Sequence, residues 1–261
     1  MLDTSVVLSR STYALTWTSE NIGDQPEALF VLPDTADPQR RAQATVRASE
    51  ELTQLGLFDR QRGVHPALVS TFRLLARPEV EFYGYLAHQQ RREPFTALAV
   101  AGGGWGLLAI LDDTTLALHP VRGDSVAEAL IGQLPPVPAA HGQSLTVPAT
   151  AVDGPVGRQA EEEFSVFAGQ GRTDPAVTRL KRLADEPRTG GAELHVAVRD
   201  RNGRRRRNAF PLKVIDVESG RWFIQRQHNA SREVWITAAP ATSQTLATKL
   251  YEMGRALASS R

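Results

Sequence analysis

Apolar residues recur along the chain in two spacings, and the same succession of spacings occurs twice. In the first copy, Leu68 and Phe72 follow a proline at helical spacing, and in the second copy Val177, Leu180 and Leu183 do the same. Spacing of three to four residues places such side chains on one face of a helix, and proline is tolerated in the first turn. We therefore predict a helix at each position.

Each predicted helix is followed by a run in which apolar residues alternate, at residues 82–86 in the first copy and 194–198 in the second. A period of two predicts strands, and we expect these two to be edge or half-buried strands. Each copy continues with two apolar runs joined by a glycine turn, a short strand and a closing helix. Trp105 and Trp222 follow the glycine turns at equal distances from the next helix, so we predict equivalent positions for them.

Further helices are predicted from local signals. Ser125 in the first copy, and Thr242 or Ser243 in the second, are expected to act as N-caps of the closing helices, since a hydroxyl oxygen can accept from a free N–H of the first turn. Apolar spacing also predicts a helix at residues 40–55 in the first copy and one at residues 157–167 in the second.

This order of elements predicts an α+β fold made of two pseudo-twofold related halves. Each half is expected to be a mostly antiparallel sheet with flanking helices. We predict a single domain over residues 1–261, with halves at 1–134 and 143–261. Residues 135–142 form a proline-rich connector, because proline neither continues a helix nor fits inside a sheet.

Composition narrows the classes of function. The chain has 30 Lys and Arg against 29 Asp and Glu, so its net charge does not favour nucleic acid or an anionic membrane. It has no Cys, which excludes disulfides and thiolate metal sites. The first ten residues lack the pattern of a secretory signal, which predicts a cytoplasmic protein. The longest apolar run, residues 95–111, contains three adjacent glycines and is too short to cross a membrane.

Residue types that carry chemistry are scattered. The six His residues show no metal-ligand spacing, and no serine lies in a nucleophile elbow. The glycines at 102–104 lack the lysine of a phosphate-binding loop and lead into a strand, which indicates a hairpin turn. The sequence therefore predicts no metal, no cofactor and no enzyme, with a small-molecule-binding or enzymatic α+β protein as the alternative.

The most unusual segment is residues 199–207, which contain six arginines in nine residues. Asn202 and Gly203 within it favour a type I′ hairpin turn. Such a hairpin could bind phosphates, but no aromatic residue is interleaved for base stacking, so a soluble loop or an acidic partner is favoured over nucleic acid. The loop at residues 89–94 is also basic. We predict that arginines of both loops rim a partner surface.

Three motifs carry a resemblance to a known family. Gly190-Gly191 precedes a strand, Asp216 is followed by Gly220-Arg221-Trp222, and Trp235 is followed at short distance by Pro240. In this order and spacing the chain resembles the EspG family, and the likeness extends over nearly the entire sequence.

The resemblance implies a cytosolic chaperone of the actinobacterial type VII (ESX) secretion system. Such a protein binds the tip of a PE–PPE heterodimer, keeps it soluble and directs it to secretion; no nucleic acid, membrane or small-molecule substrate is expected. The family's binding regions correspond to the loop at residues 90–94 and the helices at 161–167 and 175–184. The residues expected to contact the partner are Gln90, Arg91, Arg92, Glu93, Phe164, Phe167, Leu180, Leu183, Arg204 and Arg205.

Overall fold

A computed structural model describes residues 1–33, 37–91, 93–153 and 174–259. The strands are β1 (Val6–Ser9), β2 (Phe58–Asp59), β3 (Gly63–Val64), β4 (Val80–His88), β5 (Phe95–Gly102), β6 (Trp105–Leu111), β7 (Thr115–Arg122), β8 (Leu145–Pro148), β9 (Arg188–Arg199), β10 (Arg205–Arg207), β11 (Leu212–Val217), β12 (Gly220–His228) and β13 (Val234–Pro240). The α-helices are α1 (Arg10–Ser19), α2 (Pro38–Gln54), α3 (Pro66–Ala76), α4 (Val126–Ile131), α5 (Thr150–Asp153), α6 (Pro175–Asp185) and α7 (Ser243–Ser259), and a short 3-10 helix spans Glu27–Leu29. Over these ranges, no helix is both long and apolar enough to cross a membrane.

One antiparallel sheet of eleven strands forms the frame of the molecule. Its order is β1-β7-β6-β5-β4-β9-β11-β12-β13-β8, with β10 attached to β9. From one edge to the centre, the first half contributes β1, β7, β6, β5 and β4. From the other edge to the centre, the second half contributes β8, β13, β12, β11 and β9. In each half the opening strand lies at the edge, and four later strands follow it in reverse chain order. This arrangement confirms the predicted α+β fold with two pseudo-twofold related halves. The half boundaries at residues 134 and 143 stay a prediction.

The two halves meet where β4 pairs with β9. Their ladder contains nine pairs, and Gly84 lies opposite Leu194 at its midpoint. The expectation that these are edge strands is wrong, because each is the partner of the other at the centre of the sheet. The alternative of half-buried strands fits β9, in which buried and partly buried residues alternate over part of its length. Phe82 of β4 packs into a core on one face of the sheet, and Tyr83 packs into a core on the other.

Three hydrophobic cores cover the sheet. Helices α4 and α7 lie on one face over a single core that spans both halves, with Phe82, Leu194 and Leu250 buried in it. On the other face each half has its own core. Tyr13 is buried in the core of the first half, and Trp222 is buried in the core of the second. The central part of this face lies between the two separate cores.

The predicted helices α2, α3 and α6 are present. Both α3 and α6 begin with a proline, and the residue before it caps the helix: His65 Nδ1 accepts from Ala67 N at 3.2 Å, and Asp174 Oδ1 accepts from Ala176 N at 2.8 Å. The shared capping agrees with the repeat that the sequence predicts. The helix predicted at residues 157–167 lies outside the described residues.

The two predicted N-caps of the closing helices differ. Thr242 Oγ1 accepts from Thr245 N at 3.1 Å, which confirms the cap of α7. Ser125 precedes α4 but its side chain makes no capping hydrogen bond. Its backbone, at φ −127° and ψ 21°, lacks the extended conformation typical of an N-cap, and its hydroxyl donates to Asp124 Oδ1 at 3.0 Å.

Trp105 and Trp222 lie on corresponding strands but not at equivalent positions. Trp105 is the first residue of β6 after the turn, opposite Gly102, and is 54% exposed. Trp222 lies two residues further along β12, opposite Ile215, and is 8% exposed. Gly220 holds the position that corresponds to Trp105, so the predicted equivalence is wrong by two residues.

Candidate functional site

A groove of about 790 Å³ opens on the sheet face between the two separate cores. It is bounded by the end of β4 and the loop after it, by the start of β9, by β11 and β12, and by α6. Its lining is largely aliphatic and includes Leu180, Ile215, Ile224 and Ile236. Most of this lining comes from strands that sequence reasoning did not assign to the site. One feature of the sequence could have indicated that β11 lines the site: Lys213 is a single exposed cation in an otherwise buried strand.

The glycines at the start of β9 explain why the groove forms at this place. A Cβ on Gly191 would lie 2.6 Å from the backbone oxygen of Val214, and one on Gly190 would lie 3.1 Å from Cβ of His88. Only glycine permits such close approach of β9 to the strands on both sides. Because Gly190 and Gly191 have no side chains to fill the space, the groove remains open between α6 and the loop after β4.

A row of polar side chains crosses the floor. Glu193 lies opposite both Tyr85 and Lys213 in the sheet, and its carboxylate is 3.8 Å from Lys213 Nζ. The same carboxylate lies 3.2 Å from Nε2 of His195. His195 also stacks on Tyr83, with ring centroids 5.0 Å apart. The one carboxylate lining the described groove is therefore already engaged with two basic side chains.

His195 shows the electrostatic character of this region. Burial lowers the pKa of His195 below its ordinary value of 6.5, and Glu193 opposes this by favouring the protonated form. The net direction is downward, because desolvation disfavours the charged imidazolium more than the partly exposed carboxylate stabilises it. His195 is therefore neutral near pH 7 and packs as an aromatic ring against Tyr83.

Arg91 of the predicted loop lies at the rim of the groove. Its guanidinium carbon is 4.2 Å from the centroid of the Phe95 ring, a cation–π contact that fixes the side chain while leaving its N–H edges available. Gln90 and Glu93 are exposed in the same loop and do not line the groove. Arg92 lies outside the described residues.

The apolar face of α6 packs against the sheet. Leu180 and Leu183 are 4% and 5% exposed and belong to the core of the second half, although Leu180 also borders the groove. The expectation that Leu183 contacts a partner is corrected, because its side chain is buried in the core of the second half and does not line the groove. The contact expected of Leu180 stays a prediction, since Leu180 borders the groove. Phe164 and Phe167 lie outside the described residues.

The arginine-rich hairpin joins β9 to β10 through a turn that differs from the predicted type I′. Type I′ requires a positive φ at both central residues. Here Gly203 has φ +76°, and Asn202 is not in the positive region. Asp200 Oδ1 accepts from the backbone N–H of both Asn202 and Arg204 at 2.9 Å. The Asp200 side chain therefore supplies part of the turn's hydrogen bonding. It favours a loop that extends from Arg199 to its strand partner Arg205 over a two-residue type I′ turn.

Arg205 is directed back onto the sheet. Its guanidinium pairs with both carboxylate oxygens of Glu81, whose side chain is only 8% exposed. Arg207 lies 3.4 Å from the Tyr83 hydroxyl. Arg204 is exposed at the turn. The prediction that Arg205 rims a partner surface is corrected, since this side chain compensates a buried carboxylate within the fold.

The two basic loops lie at opposite ends of the central ladder. The loop containing Arg91 follows His88, which pairs with Gly190, whereas the loop containing Arg204 follows β9 at the end where Val198 pairs with Val80. Eight strand steps separate these pairs, about 27 Å. Antiparallel pairing across a pseudo-twofold axis thus separates equivalent loops, and the structure does not bring Arg91 and Arg204 into one site.

The described part of the chain contains no group of three or more His, Asp or Glu side chains arranged to hold a metal ion. The groove is lined mainly by apolar side chains, and basic side chains surround them. Concave, mostly apolar sites with a few polar groups are typical of binding surfaces.

Comparison with known proteins identifies the class. The chain matches the EspG family profile over residues 9–252 and therefore belongs to the EspG family. It is similar in fold to the Mycobacterium tuberculosis type VII secretion system chaperone EspG5, whose structure was solved in complex with a PE25–PPE41 dimer. That match has a TM-score of 0.68 at 14% sequence identity and covers 99% of this chain and 98% of the other. The search of curated proteins returned no match.

Proposed function

We propose that this protein is a cytosolic chaperone that binds the tip of a PE–PPE heterodimer, keeps the pair soluble and directs it to type VII secretion. The observation that carries this proposal is membership of the EspG family over residues 9–252. The fold shared with EspG5, which was solved bound to a PE25–PPE41 dimer, supports it.

The groove between Arg91 and α6 is the proposed binding site. An elongated helical pair with an exposed apolar tip tends to self-associate, because that surface remains in contact with water. A largely aliphatic groove can cover such a tip, and basic side chains at its rim add selectivity. Release before secretion requires moderate rather than extreme affinity.

We propose that the protein acts by binding and not by catalysis. Family membership supports this. Within the described groove, the carboxylate of Glu193 is paired with Lys213 and His195. For nucleic acid, the arginine-rich hairpin is a poor surface because Arg205 and Arg207 are committed to Glu81 and Tyr83.

Co-expression with a PE–PPE pair encoded beside its gene tests the proposal. We expect one copy of each of the three chains to co-purify and the pair to precipitate when expressed alone. Ala184→Trp should abolish capture, because Ala184 is exposed on α6 and lines the groove, so an indole fills the site without disturbing the core. Ala42→Trp is the matched control, since Ala42 is an exposed alanine of α2 that does not line the groove.

Two results contradict the proposal. If the pair remains soluble and unbound in the presence of the wild-type chain, the chaperone function is wrong. If Ala184→Trp and Ala42→Trp capture the pair equally well, binding occurs but the groove is not the site.

A further inference from the structure

The groove concentrates positive charge on a chain that is nearly neutral. The described residues that line it include the cations Arg91, Lys181, Arg188, Lys213 and Arg226 and one carboxylate, Glu193. The whole chain has a formal net charge of only +1. The excess of basic groups is therefore a local property of this surface.

Three of these cations are available to a partner. Lys181 on α6 and Arg188 at the start of β9 are exposed, and within the described ranges neither lies within salt-bridge distance of a carboxylate. Lys213, in contrast, is already paired with Glu193. Arg91 is held over the Phe95 ring and can still donate from its guanidinium edge.

Aliphatic side chains lie between these cations, beside the polar row of Glu193 and Lys213. Ile215, Ile224 and Ile236 line the groove together with Leu180. Such a surface accommodates apolar side chains of a protein. The combination of an aliphatic floor and basic rim specifies an occupant that is apolar in its centre and acidic at its margin.

We infer that the groove recognises a protein segment whose apolar side chains enter it and whose carboxylates pair with Lys181, Arg188 and Arg91. This inference rests on the proposed function, and it specifies the chemistry of the part of the PE–PPE pair that the chaperone holds. Carboxylates at the rim raise the association rate and exclude partners that carry basic residues there.

A pair of dyes tests the charge preference without any PE–PPE protein. Anilinonaphthalene sulfonate is apolar and anionic, and phenylnaphthylamine has nearly the same rings without the sulfonate. Lys181→Glu with Arg188→Glu should weaken binding of the anionic dye by about tenfold or more, because two attractive charges become repulsive. Binding of the neutral dye should change by less than about twofold, since the aliphatic floor is untouched.

Control variants separate the groove from general electrostatics. Arg60→Glu with Arg62→Glu makes the same change in net charge at exposed positions outside the groove, and should leave both dyes unaffected. Ala184→Trp should displace both dyes. If Lys181→Glu with Arg188→Glu has a lower thermal midpoint than the wild type, Lys181→Gln with Arg188→Gln provides the same comparison. A smaller loss of affinity for the anionic dye is then expected. Equal losses for both dyes, equal losses in the control, or dye binding unaffected by Ala184→Trp would each overturn the inference.

The same variants, tested with the PE–PPE pair of the co-expression experiment, distinguish the two proposals. Capture by the wild type together with reduced capture by Lys181→Glu with Arg188→Glu supports both. Capture that is equal in this variant and the wild type refutes the acidic-partner inference and leaves the chaperone function intact. Charge-selective dye binding without capture of any PE–PPE pair supports the groove chemistry and refutes the chaperone function.

Discussion

Arg221 and Asp216 form a bidentate ion pair across β11 and β12, with both side chains 1% exposed. Arg221 Nε and Nη2 donate to the two carboxylate oxygens at 2.6 and 2.8 Å. Nη2 also donates to the Pro135 carbonyl at 2.9 Å, and the backbone N–H of Arg221 donates to the Pro138 carbonyl at 2.8 Å. Asp216 and Gly220-Arg221 form one of the three motifs that carry the family resemblance, and this motif fixes the proline-rich connector to the sheet.

Removing this arginine should strongly destabilise the protein. Arg221→Ala leaves the Asp216 carboxylate buried without its partner, and breaking a buried ion pair typically costs about 3–5 kcal/mol. Urea denaturation measures the free energy of unfolding. The matched control is Arg122→Ala, which removes the same bidentate arginine–aspartate geometry from Asp124 at the surface and should leave stability unchanged. Similar effects from both variants would contradict a special role for the buried pair.

The glycine at the floor of the groove should not tolerate a methyl group. Gly191→Ala places a Cβ 2.6 Å from the Val214 backbone oxygen, and we expect a loss of about 1–3 kcal/mol as the strands move apart. Gly254→Ala is the control, because its Cβ would meet only side chains of Val196 and Phe82 at 3.6 Å or more. In the middle of α7 this change should stabilise the protein by about 0.5–1 kcal/mol. Thermal unfolding of both variants checks these opposite signs.

The arginines of the hairpin should differ in their contribution to stability. Arg205→Ala leaves Glu81 largely buried and unpaired, with an expected cost of about 1–3 kcal/mol. Arg204→Ala, one residue earlier and exposed, should have no measurable effect on the free energy of unfolding. Equal effects of the two substitutions in chemical denaturation would show that the Glu81 contact contributes little.

Stability should decrease as the pH falls below the ordinary pKa of histidine. Burial lowers the pKa of His195 in the folded state, so the unfolded chain binds this proton first. The stabilisation is therefore complete above about pH 6.5 and is lost as the pH falls toward the folded-state pKa. His195→Gln should reduce the slope of thermal midpoint against pH between 5 and 7, whereas the exposed His141→Gln should not. An unchanged slope in His195→Gln would refute the assignment.

The local elements of the fold could be predicted from the sequence because their signals are local. A proline, a capping side chain and apolar residues at helical spacing define α3 and α6 within a dozen positions. The pairing of Gly84 with Leu194 could not be predicted in this way, since each strand alone has the alternation of an ordinary strand. Which two strands pair depends on the packing of the whole sheet.

The site was predictable only in part for the same reason. Arg91 was identified by its loop, and it lies at the groove. Arg205 has the same local charge pattern, but its partner Glu81 comes from a distant strand. Leu180 and Leu183 were identified as an apolar face, and the sheet of the same chain covers that face. Charge and periodicity show what a residue can contact, whereas the tertiary fold decides what it does contact.

Hydrogen–deuterium exchange of the chain, alone and with its co-purified PE–PPE pair, tests the central claim most directly. Partner binding at the groove should slow exchange of backbone amides at residues 88–91, 180–184 and 188–193, because these segments line it. Exchange at residues 200–204, at the far end of the central ladder, should stay the same. Protection confined to residues 200–204, or no protection in any groove segment despite a stable complex, would contradict binding of the PE–PPE pair in this groove.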